Sequence, residues 1–211
     1  MKKKILVTGG SGYKGVQLIQ KLVKEGYQVI NIDINYFGNY FIKNKSVKNY
    51  KLNILDIKKV NLKNVYACIH LACIANDPMV DLNLGLSWET SALGTKLLMD
   101  ELVKNNVKKI IYASSGSVYG IKKEKKVTEK LSLNPISTYN KVKMVTERTL
   151  LSYKDRIDII ILRPATVCGF APRMRLDVTV NMLTFQALKN GEMTVYGGMQ
   201  KRPNVHIDDI I

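Results

Sequence analysis

Apolar residues recur along the chain with two different spacings, and this pattern predicts a series of alternating strands and helices. Continuous apolar runs of strand length occupy the segments 4–8, 27–33, 66–72, 109–114 and 157–163, with a further short run at 193–196. Apolar residues recur at helical spacing over 16–23, in a helix that Gly26 ends. The segments 86–106, 137–153 and 178–190 are also predicted to be helices. Because the longer runs are apolar at consecutive positions, both faces of each strand are expected to be buried. The pattern therefore predicts an α/β fold with a parallel sheet covered by helices.

A glycine-rich turn joins the first strand to the first helix and is typical of nucleotide binding. Gly9, Gly12 and Gly15 follow the spacing GxxGxxG. Glycines at such a turn let the backbone approach a pyrophosphate, which rests on the N-terminus of the following helix. Asp33 ends the second strand, where a carboxylate can accept hydrogen bonds from ribose hydroxyls and repels a 2′-phosphate. The pattern predicts a dinucleotide site that favours NAD over NADP; the alternative is a turn that only packs a helix on a strand.

A second group of residues has the chemistry of an acid–base site. Ser115 follows the strand at 109–114, while Tyr139 and Lys143 are four residues apart on one face of the predicted helix 137–153. A lysine ammonium beside a phenol lowers the phenol pKa and makes a phenolate available as a base. A serine at the carboxyl end of a parallel strand lies where such sheets bind their ligands. The alternative interpretation is a surface Tyr and Lys beside N-capping serines.

The chain contains a second YxxxK pair and a polar loop that also need interpretation. Tyr119 and Lys123 have the same spacing as Tyr139 and Lys143, but Gly120 indicates a loop in which the lysine has no fixed position. The segment 76–78, Asn-Asp-Pro, follows the strand at 66–72. It is predicted either to line a ligand pocket or to form a capped loop.

Taken together, these motifs resemble the NAD-dependent epimerase/dehydratase family of extended short-chain dehydrogenases/reductases. The matching segments, in family order, are TGGSGYKG at 8–15, HLACIA at 70–75, SSGSVYG at 114–120, YNKVK at 139–143 and RPNVHIDD at 202–209. The resemblance implies a Rossmann-type, doubly wound NAD-binding domain over 1–165 that carries the catalytic residues. It implies the start of a small C-terminal substrate lobe over 166–211. Family members usually continue further, so the chain is expected to be a truncated or unusually short member.

The resemblance also implies roles for individual residues. The catalytic residues would be Ser115, Tyr139 and Lys143. The cofactor-binding residues would be Gly9, Gly12, Tyr13, Lys14, Gly15, Asp33, Asn53, Ile54, Leu71, Ala72 and Cys73. The substrate-binding residues would be Thr166, Asn181 and Arg202. No metal site is implied.

At a few positions the chain departs from the family pattern. Asn53 replaces an aspartate beside the adenine, and its amide can still bond to that base. Ser91 and Thr166 each stand where the family often has asparagine. Gly116 and Ser117 occupy positions that are Asp-Glu in the sugar 4,6-dehydratases, so the acids that eliminate the leaving hydroxyl are missing. The substitutions at 116 and 117 argue against dehydration.

Composition and charge narrow the choice of partner. The chain has 33 Lys and Arg against 17 Asp and Glu, a net charge of +16, but the lysines are dispersed with only short runs such as 122–126. We interpret them as a solvated surface that attracts an anionic substrate, and expect no nucleic-acid partner. The three cysteines, Cys68, Cys73 and Cys168, include no CxxC and suggest neither a disulfide framework nor a zinc site. The apolar run at 5–7 is too short for a signal peptide or a membrane span, so a cytoplasmic protein without a membrane partner is expected.

The function implied by the resemblance is an NAD-dependent nucleotide-sugar epimerase that works through a transient keto-sugar. Its substrate would be a nucleoside diphosphate sugar. One alternative is a reductase, dehydrogenase or decarboxylase on the same scaffold; another is a non-catalytic NAD-binding module or a basic nucleic-acid-binding module. Relatives often dimerise through the two long helices, so a homodimer through 87–106 and 137–153 is expected.

Overall fold

Six parallel strands form the main sheet of the protein, and two more form a separate small sheet. The computed structural model describes residues 2–38, 40 and 44–211. The strands are β1 (Lys4–Thr8), β2 (Gln28–Asp33), β3 (Val47–Lys51), β4 (Val65–His70), β5 (Lys109–Ala113), β6 (Asp158–Leu162), β7 (Thr166–Cys168) and β8 (Asn204–His206). The order in the main sheet is β3-β2-β1-β4-β5-β6, and β7 pairs with β8.

Helices connect the strands of the main sheet. They are α1 (Tyr13–Lys24), α2 (Asp77–Leu82), α3 (Leu84–Trp88), α4 (Gly94–Lys104), α5 (Thr138–Leu151), α6 (Thr179–Asn190) and α7 (Ile207–Ile210). Short 3₁₀ segments occupy Ile54–Lys59 and Gly116–Tyr119, and a π-helical turn at Glu89–Leu93 joins α3 to α4. The long helix predicted over 86–106 is therefore confirmed, with a π turn inside it. In the described part of the chain, no helix has the length and apolarity needed to cross a membrane.

The strand order makes this a doubly wound sheet of the Rossmann type, which confirms the predicted fold class. The chain moves outward from β1 through β2 to β3, and then returns to place β4 on the other side of β1. At the carboxyl end of β1, Thr8 is in register with Ile32 of β2 and with His70 of β4. The strand order therefore reverses between β1 and β4, and the connections that leave these two strands run to opposite faces of the sheet. This leaves a crevice at the carboxyl ends of the strands, where such folds bind their ligands.

Both faces of the sheet are largely buried at its four central strands, β2, β1, β4 and β5, as the continuous apolar runs predict. At the edge strand β6 the prediction is wrong, because Ile160 and Leu162 are exposed. Along β1, Ile5 and Val7 point to the face that packs on Ile19 of α1. The intervening Leu6 belongs to the larger core cluster, together with Leu98 of α4. Successive residues of a strand point to opposite faces, so one five-residue run supplies both layers.

The segment after β6 packs against α1. Val167 of β7, Ala171 and Ile207 of α7 form a small cluster with Tyr13, which is only 6% exposed. The Tyr13 hydroxyl also donates to the Gly169 carbonyl at 2.7 Å. The chain from β7 onward therefore contacts the glycine-rich turn directly. The boundary at 165/166 between a cofactor domain and a substrate lobe stays a prediction.

One predicted strand is wrong, and β3 was not predicted. The segment 193–196 forms no strand, and its Met193, Val195 and Tyr196 are exposed. The extended chain that pairs with β7 comes later, at β8. The strand β3, with sequence VKNYK, lies at the edge of the sheet with mostly exposed side chains, so it has no apolar run to mark it. The segment β3 forms a strand because β2 lies beside it, although its own β-propensity is low, whereas 193–196 has a high β-propensity but no neighbouring strand.

Candidate active site

A cavity of about 680 Å³ opens at the carboxyl edge of the sheet, where the strand order reverses. All of the residues predicted to bind the cofactor line it. Tyr139 and Lys143 line it as well, so the glycine turn and the acid–base pair share one cavity. The remaining wall comes from the loops after β2 and β4 and from the segment 173–177.

The glycine-rich turn is fixed by its own backbone donors. Gly9 has a φ of +73°, and a Cβ there would lie 2.6 Å from the Ala72 amide nitrogen. At Gly15, a Cβ would lie 2.5 Å from the Gly10 Cα, so only glycine lets α1 pack this closely on the turn. The Gly10 N–H donates to Asn31 Oδ1 at 3.1 Å. The turn is therefore held in place by the backbone and β2.

The N-terminus of α1 presents free donors to the cavity. No side chain caps this helix and its first turn holds no acidic residue. The first helical bond runs from the Val16 N–H to the Gly12 carbonyl at 3.1 Å. Within the described residues, no acceptor pairs with the N–H groups of residues 13–15. These donors and the helix dipole form a site for an anionic group such as a pyrophosphate.

Asp33 and Asn53 lie at the end of the cavity nearest β2. Asp33 accepts the Asn35 N–H at 2.7 Å through Oδ1 and the Ser11 N–H at 3.0 Å through Oδ2. A carboxylate has about four acceptor sites, so hydroxyl donors can still bind there. Asn53 accepts the Leu55 N–H at 3.0 Å through its oxygen, which leaves its NH₂ group to donate into the cavity.

Tyr139 and Lys143 lie on the first two turns of α5 and face the cavity together. The Lys143 side chain is only 3% exposed, and its Nζ donates to the Ala113 carbonyl at 2.8 Å. The same ammonium lies 4.9 Å from the ring centre of Tyr112 and 5.8 Å from that of Tyr139. The end of β5 thus orients the lysine toward the phenol.

The pKa of Tyr139 results from two opposing effects. Burial raises the pKa of the phenol, and the Lys143 ammonium lowers it, with a net value above the ordinary one. The predicted effect of the lysine is present, but desolvation outweighs it. Burial alone would lower the pKa of Lys143, but Cys73 and the two tyrosines that face it raise that pKa above its usual range. The lysine therefore stays charged.

Ser115 lies next to this pair, at the end of β5. Its hydroxyl hydrogen-bonds with that of Ser117 at 2.7 Å, and Ser117 donates in turn to Asn140 Oδ1. Ser115 is also close enough to the Tyr139 phenol to lower its pKa. The three residues predicted to be catalytic are therefore brought together, although 24 residues separate Ser115 from Tyr139 along the chain.

The residues predicted to bind substrate do not line the cavity. Asn181 is 5% exposed, and its side chain donates to the Arg175 carbonyl and the Tyr13 hydroxyl while accepting the Gly169 N–H. Thr166 begins β7, and Arg202 is exposed before β8. Asn181 therefore supports Tyr13 and Arg175, which line the cavity, without lining it itself. The substrate-binding roles of Thr166, Asn181 and Arg202 stay predictions.

The segment 173–177 is a part of the site that sequence reasoning missed. The Arg173 guanidinium lies 3.9 Å from the ring centre of Phe37, so this segment contacts the turn after β2. Arg175 forms an ion pair with Asp177 at 2.8 Å, and Asp177 accepts a hydrogen bond from Asn76 in the loop after β4. The arginines in an otherwise apolar loop were the only signal, and nothing local indicated their contacts.

Tyr119, the other tyrosine in a YxxxK pair, belongs to a structural network. Arg163 donates to the Tyr119 hydroxyl at 2.8 Å and to both carboxylate oxygens of Glu147. Glu147 also accepts the Ser114 hydroxyl. Lys123 is exposed. This network joins β6, α5 and the end of β5 immediately before Ser115.

A buried histidine joins the ends of β1 and β4 beneath the cavity. His70 hydrogen-bonds with the Thr8 hydroxyl at 2.6 Å through Nδ1 and with the Thr95 hydroxyl at 2.9 Å through Nε2. Thr95 donates its own proton to the Ser91 carbonyl, so Nε2 is the ring donor. Burial, reinforced by Lys143, lowers the pKa of His70 to about 3. The imidazole is therefore neutral and structural.

Comparison with known proteins identifies the relatives of this chain. The NAD dependent epimerase/dehydratase family matches residues 5–211. A protein named UDP-glucose epimerase YtcB of Bacillus subtilis (strain 168), itself described as uncharacterised, is 33% identical over 99% of this chain and 70% of its own length. Proteins named UDP-glucuronic acid decarboxylase 1 match at 26 to 30% identity.

Solved structures are similar over nearly the whole chain. A UDP-glucuronic acid 4-epimerase from Bacillus cereus, in complex with UDP-glucuronic acid and NAD, has a TM-score of 0.84 and 30% identity and matches 98% of this chain and 70% of its own. A UDP-N-acetylglucosamine 4-epimerase from Methanobrevibacter ruminantium M1, in complex with UDP-N-acetylmuramic acid, has a TM-score of 0.89 and 28% identity and matches 100% and 71%. The chain spans between 51% and 70% of the length of the first curated relatives that it matches.

Proposed function

Since the chain belongs to the NAD dependent epimerase/dehydratase family, which confirms the predicted resemblance, we propose that it is an NAD-dependent nucleotide-sugar epimerase. In this proposal NAD lies in the cavity and a nucleoside diphosphate sugar is epimerised through a transient keto-sugar. One observation carries the proposal: the glycine turn with Asp33 and the Tyr139–Lys143 pair line the same cavity.

The residues of this chain fit an NAD molecule. The free N–H groups of residues 13–15 would receive the pyrophosphate, in a turn where a Cβ at Gly9 or Gly15 would collide with neighbouring backbone. Asp33 would accept hydrogen bonds from the hydroxyls of the adenosine ribose, and the Asn53 amide would donate a hydrogen bond to the adenine. When bound, NAD supplies the acceptor and the donor of a hydride.

The chain itself supplies placement and proton transfer. Tyr139 takes the proton from a sugar hydroxyl as that carbon is oxidised, and returns a proton when the keto-sugar is reduced. Lys143, held by the Ala113 carbonyl, keeps a positive charge beside the phenol and opposes the effect of burial on the phenol pKa. The positive charge of bound NAD⁺ would lower this pKa further and so favour the phenolate. Ser115 orients the reacting oxygen. The segment 173–177 forms part of the wall of the same cavity.

The alternatives are a reductase, a dehydrogenase or a decarboxylase that uses the same groups. Epimerisation returns the hydride, so product forms without net NADH, whereas a dehydrogenase releases one NADH per turnover. Gly116 and Ser117 supply no acid for elimination, which opposes dehydration. Absorbance at the NADH band during turnover of a UDP-sugar separates net oxidation or reduction from epimerisation. A decarboxylase also returns the hydride, so release of CO₂ from a UDP-uronic acid is measured to identify it.

Calorimetric titration with NAD⁺ and NADP⁺, followed by a screen of UDP-, dTDP- and GDP-sugars for epimer formation, tests the proposal. We expect NAD⁺ to bind in preference to NADP⁺ and at least one sugar to be epimerised. Absence of NAD⁺ binding to the folded chain would contradict the proposal.

Asp33 is expected to set the cofactor preference. Asp33→Asn keeps an oxygen acceptor for the backbone of the turn but removes the charge that repels a 2′-phosphate. We expect the ratio of NAD⁺ to NADP⁺ affinity to fall about tenfold or more, because like charges in close contact cost several kcal/mol. Asp177→Asn, which changes the other carboxylate on the cavity wall, should leave this ratio unchanged. An unchanged ratio in Asp33→Asn would refute the assignment.

The remaining parts of the proposal concern assembly and location. A homodimer through the two long helices is supported by apolar side chains on them that are partly exposed, namely Trp88, Leu93 and Leu151. We place the protein in the cytoplasm. Light scattering of the purified chain tests the dimer.

A further inference from the structure

Lys14 is a cation in the cavity wall, and the proposed mechanism assigns no role to its side chain. It is the second residue of α1, half-buried, and it lines the cavity. The charged and titratable groups that face it from the packed elements are Lys143 of α5, Cys73 after β4 and Arg175 before α6. Two of these three neighbours are themselves cations.

Among the described residues of the cavity wall, no carboxylate forms an ion pair with this ammonium. Lys14 takes part in none of the ion pairs or side-chain hydrogen bonds found among the described residues. Of the two acids that line the cavity, Asp33 accepts backbone N–H groups of the turn through both oxygens. The other, Asp177, is bound to Arg175 and Asn76. The cavity therefore has an excess of positive charge beside the free N–H groups of α1.

We propose that the Lys14 ammonium binds a diphosphate diester at the N-terminus of α1, and that the protein takes up a proton when this diphosphate binds. The inference rests on the proposed function, because it takes the cavity as the dinucleotide site. Three backbone donors and the helix dipole lie at the N-terminus of α1, and the side chain of its second residue, Lys14, lines the same cavity. Backbone N–H groups and an ammonium are the donors that a phosphate group requires.

Proton uptake follows from the surroundings of the amine. Burial first, and then Lys143, lowers the pKa of Lys14 to about 8, so that a large fraction of the amine is neutral in mildly basic solution. A bound diphosphate adds negative charge and raises this pKa again. The bound state then holds more protons than the free state above neutral pH, so affinity is highest at low pH and falls as pH rises through the pKa of the free amine.

The other groups around Lys14 do not account for this titration. The pKa of Lys143 and that of Tyr139 are both raised, so these groups keep their protons from pH 7 to 9. Arg175 carries a guanidinium, which stays charged throughout. Cys73 is the remaining neighbour, and its thiol is tested directly by substitution.

Calorimetry at pH 8 in two buffers of different ionisation enthalpy measures the proton uptake. With NAD⁺ or ADP-ribose we expect about 0.5 proton per ligand at pH 8, and about tenfold weaker binding at pH 9 than at pH 7. Adenosine, which lacks the diphosphate, should cause no uptake. UDP-glucose separates the two sources of this chemistry: uptake with UDP-glucose alone assigns the diphosphate to the sugar nucleotide, and uptake with ADP-ribose assigns it to the dinucleotide.

Substitutions at position 14 and at Cys73 identify the titrating group. Lys14→Met should lose the uptake and the pH dependence and bind at least about tenfold more weakly at pH 7. Lys14→Arg should keep strong binding at pH 9, because a guanidinium does not deprotonate. Cys73→Ala should retain the uptake. NAD⁺ binding without proton uptake, or proton uptake that persists in Lys14→Met, overturns this inference but leaves the proposed function intact. Failure of every diphosphate to bind the folded protein overturns the proposed function as well.

Discussion

Replacing Tyr139 with phenylalanine is expected to lower kcat for the nucleotide sugar by about 10³-fold, with a much smaller effect on NAD⁺ affinity. The change removes a single oxygen, the one that exchanges the substrate proton, and leaves the ring on α5 beside Lys143. Lys143 and the end of β5 keep their contacts, since the ammonium is held by the Ala113 carbonyl. Steady-state kinetics with the sugar identified by the screen and calorimetry with NAD⁺ give the two quantities.

Tyr119→Phe is the matched control for this experiment. It removes the hydroxyl of the other YxxxK tyrosine, which accepts a hydrogen bond from Arg163 outside the cavity lining. We expect its kcat to stay within a few-fold of the unmodified chain. Full turnover by Tyr139→Phe would refute the assigned base, and equal losses in both variants would point to a general structural effect.

Replacing Glu147 with glutamine is expected to lower the free energy of unfolding by about 3 kcal/mol. The Glu147 side chain is 2% exposed and that of its partner Arg163 is 20% exposed, and they approach to 2.6 Å. Removing one charge of a buried pair leaves the other charge poorly compensated, and the Ser114 hydroxyl loses a charged acceptor. Removing one partner of a buried ion pair usually lowers the free energy of unfolding by about 3 to 5 kcal/mol. We expect the low end of this range because the Arg163 side chain retains contact with water.

Urea unfolding followed by circular dichroism measures this loss. Asp56→Asn is the control, because it removes one charge from an exposed pair with Lys59, whose side chains are 61% (Lys59) and 40% (Asp56) exposed. Exposed pairs contribute about 0 to 1 kcal/mol, so the control should change stability little. A loss below about 1 kcal/mol in Glu147→Gln would show that the buried network does not stabilise the end of β5.

Much of the fold could be predicted because its strands carry continuous apolar runs, which at the central strands are buried on both faces. The runs that became β1, β2, β4, β5 and β6 are continuous and apolar, and each is followed by a helix or turn that the sequence marks. The edge strand β3 escaped prediction because its side chains are mostly exposed and its sequence, VKNYK, contains no apolar run. The segment 193–196 has the composition of a strand but no neighbouring strand to pair with.

The sequence by itself determined the chemistry that is encoded in short segments: the glycine turn with Asp33, and the spacing of Tyr139 and Lys143 on one helix. Backbone sterics and helical periodicity act over a few residues, so they can be read locally. Only the tertiary structure decided which groups surround them. The segment 173–177 reaches the cavity from far along the chain, burial outweighs Lys143 in setting the pKa of Tyr139, and Lys14 is left among cations because the nearby carboxylates are bound elsewhere. Desolvation and charge pairing depend on distances in space, which the order of residues along the chain does not specify.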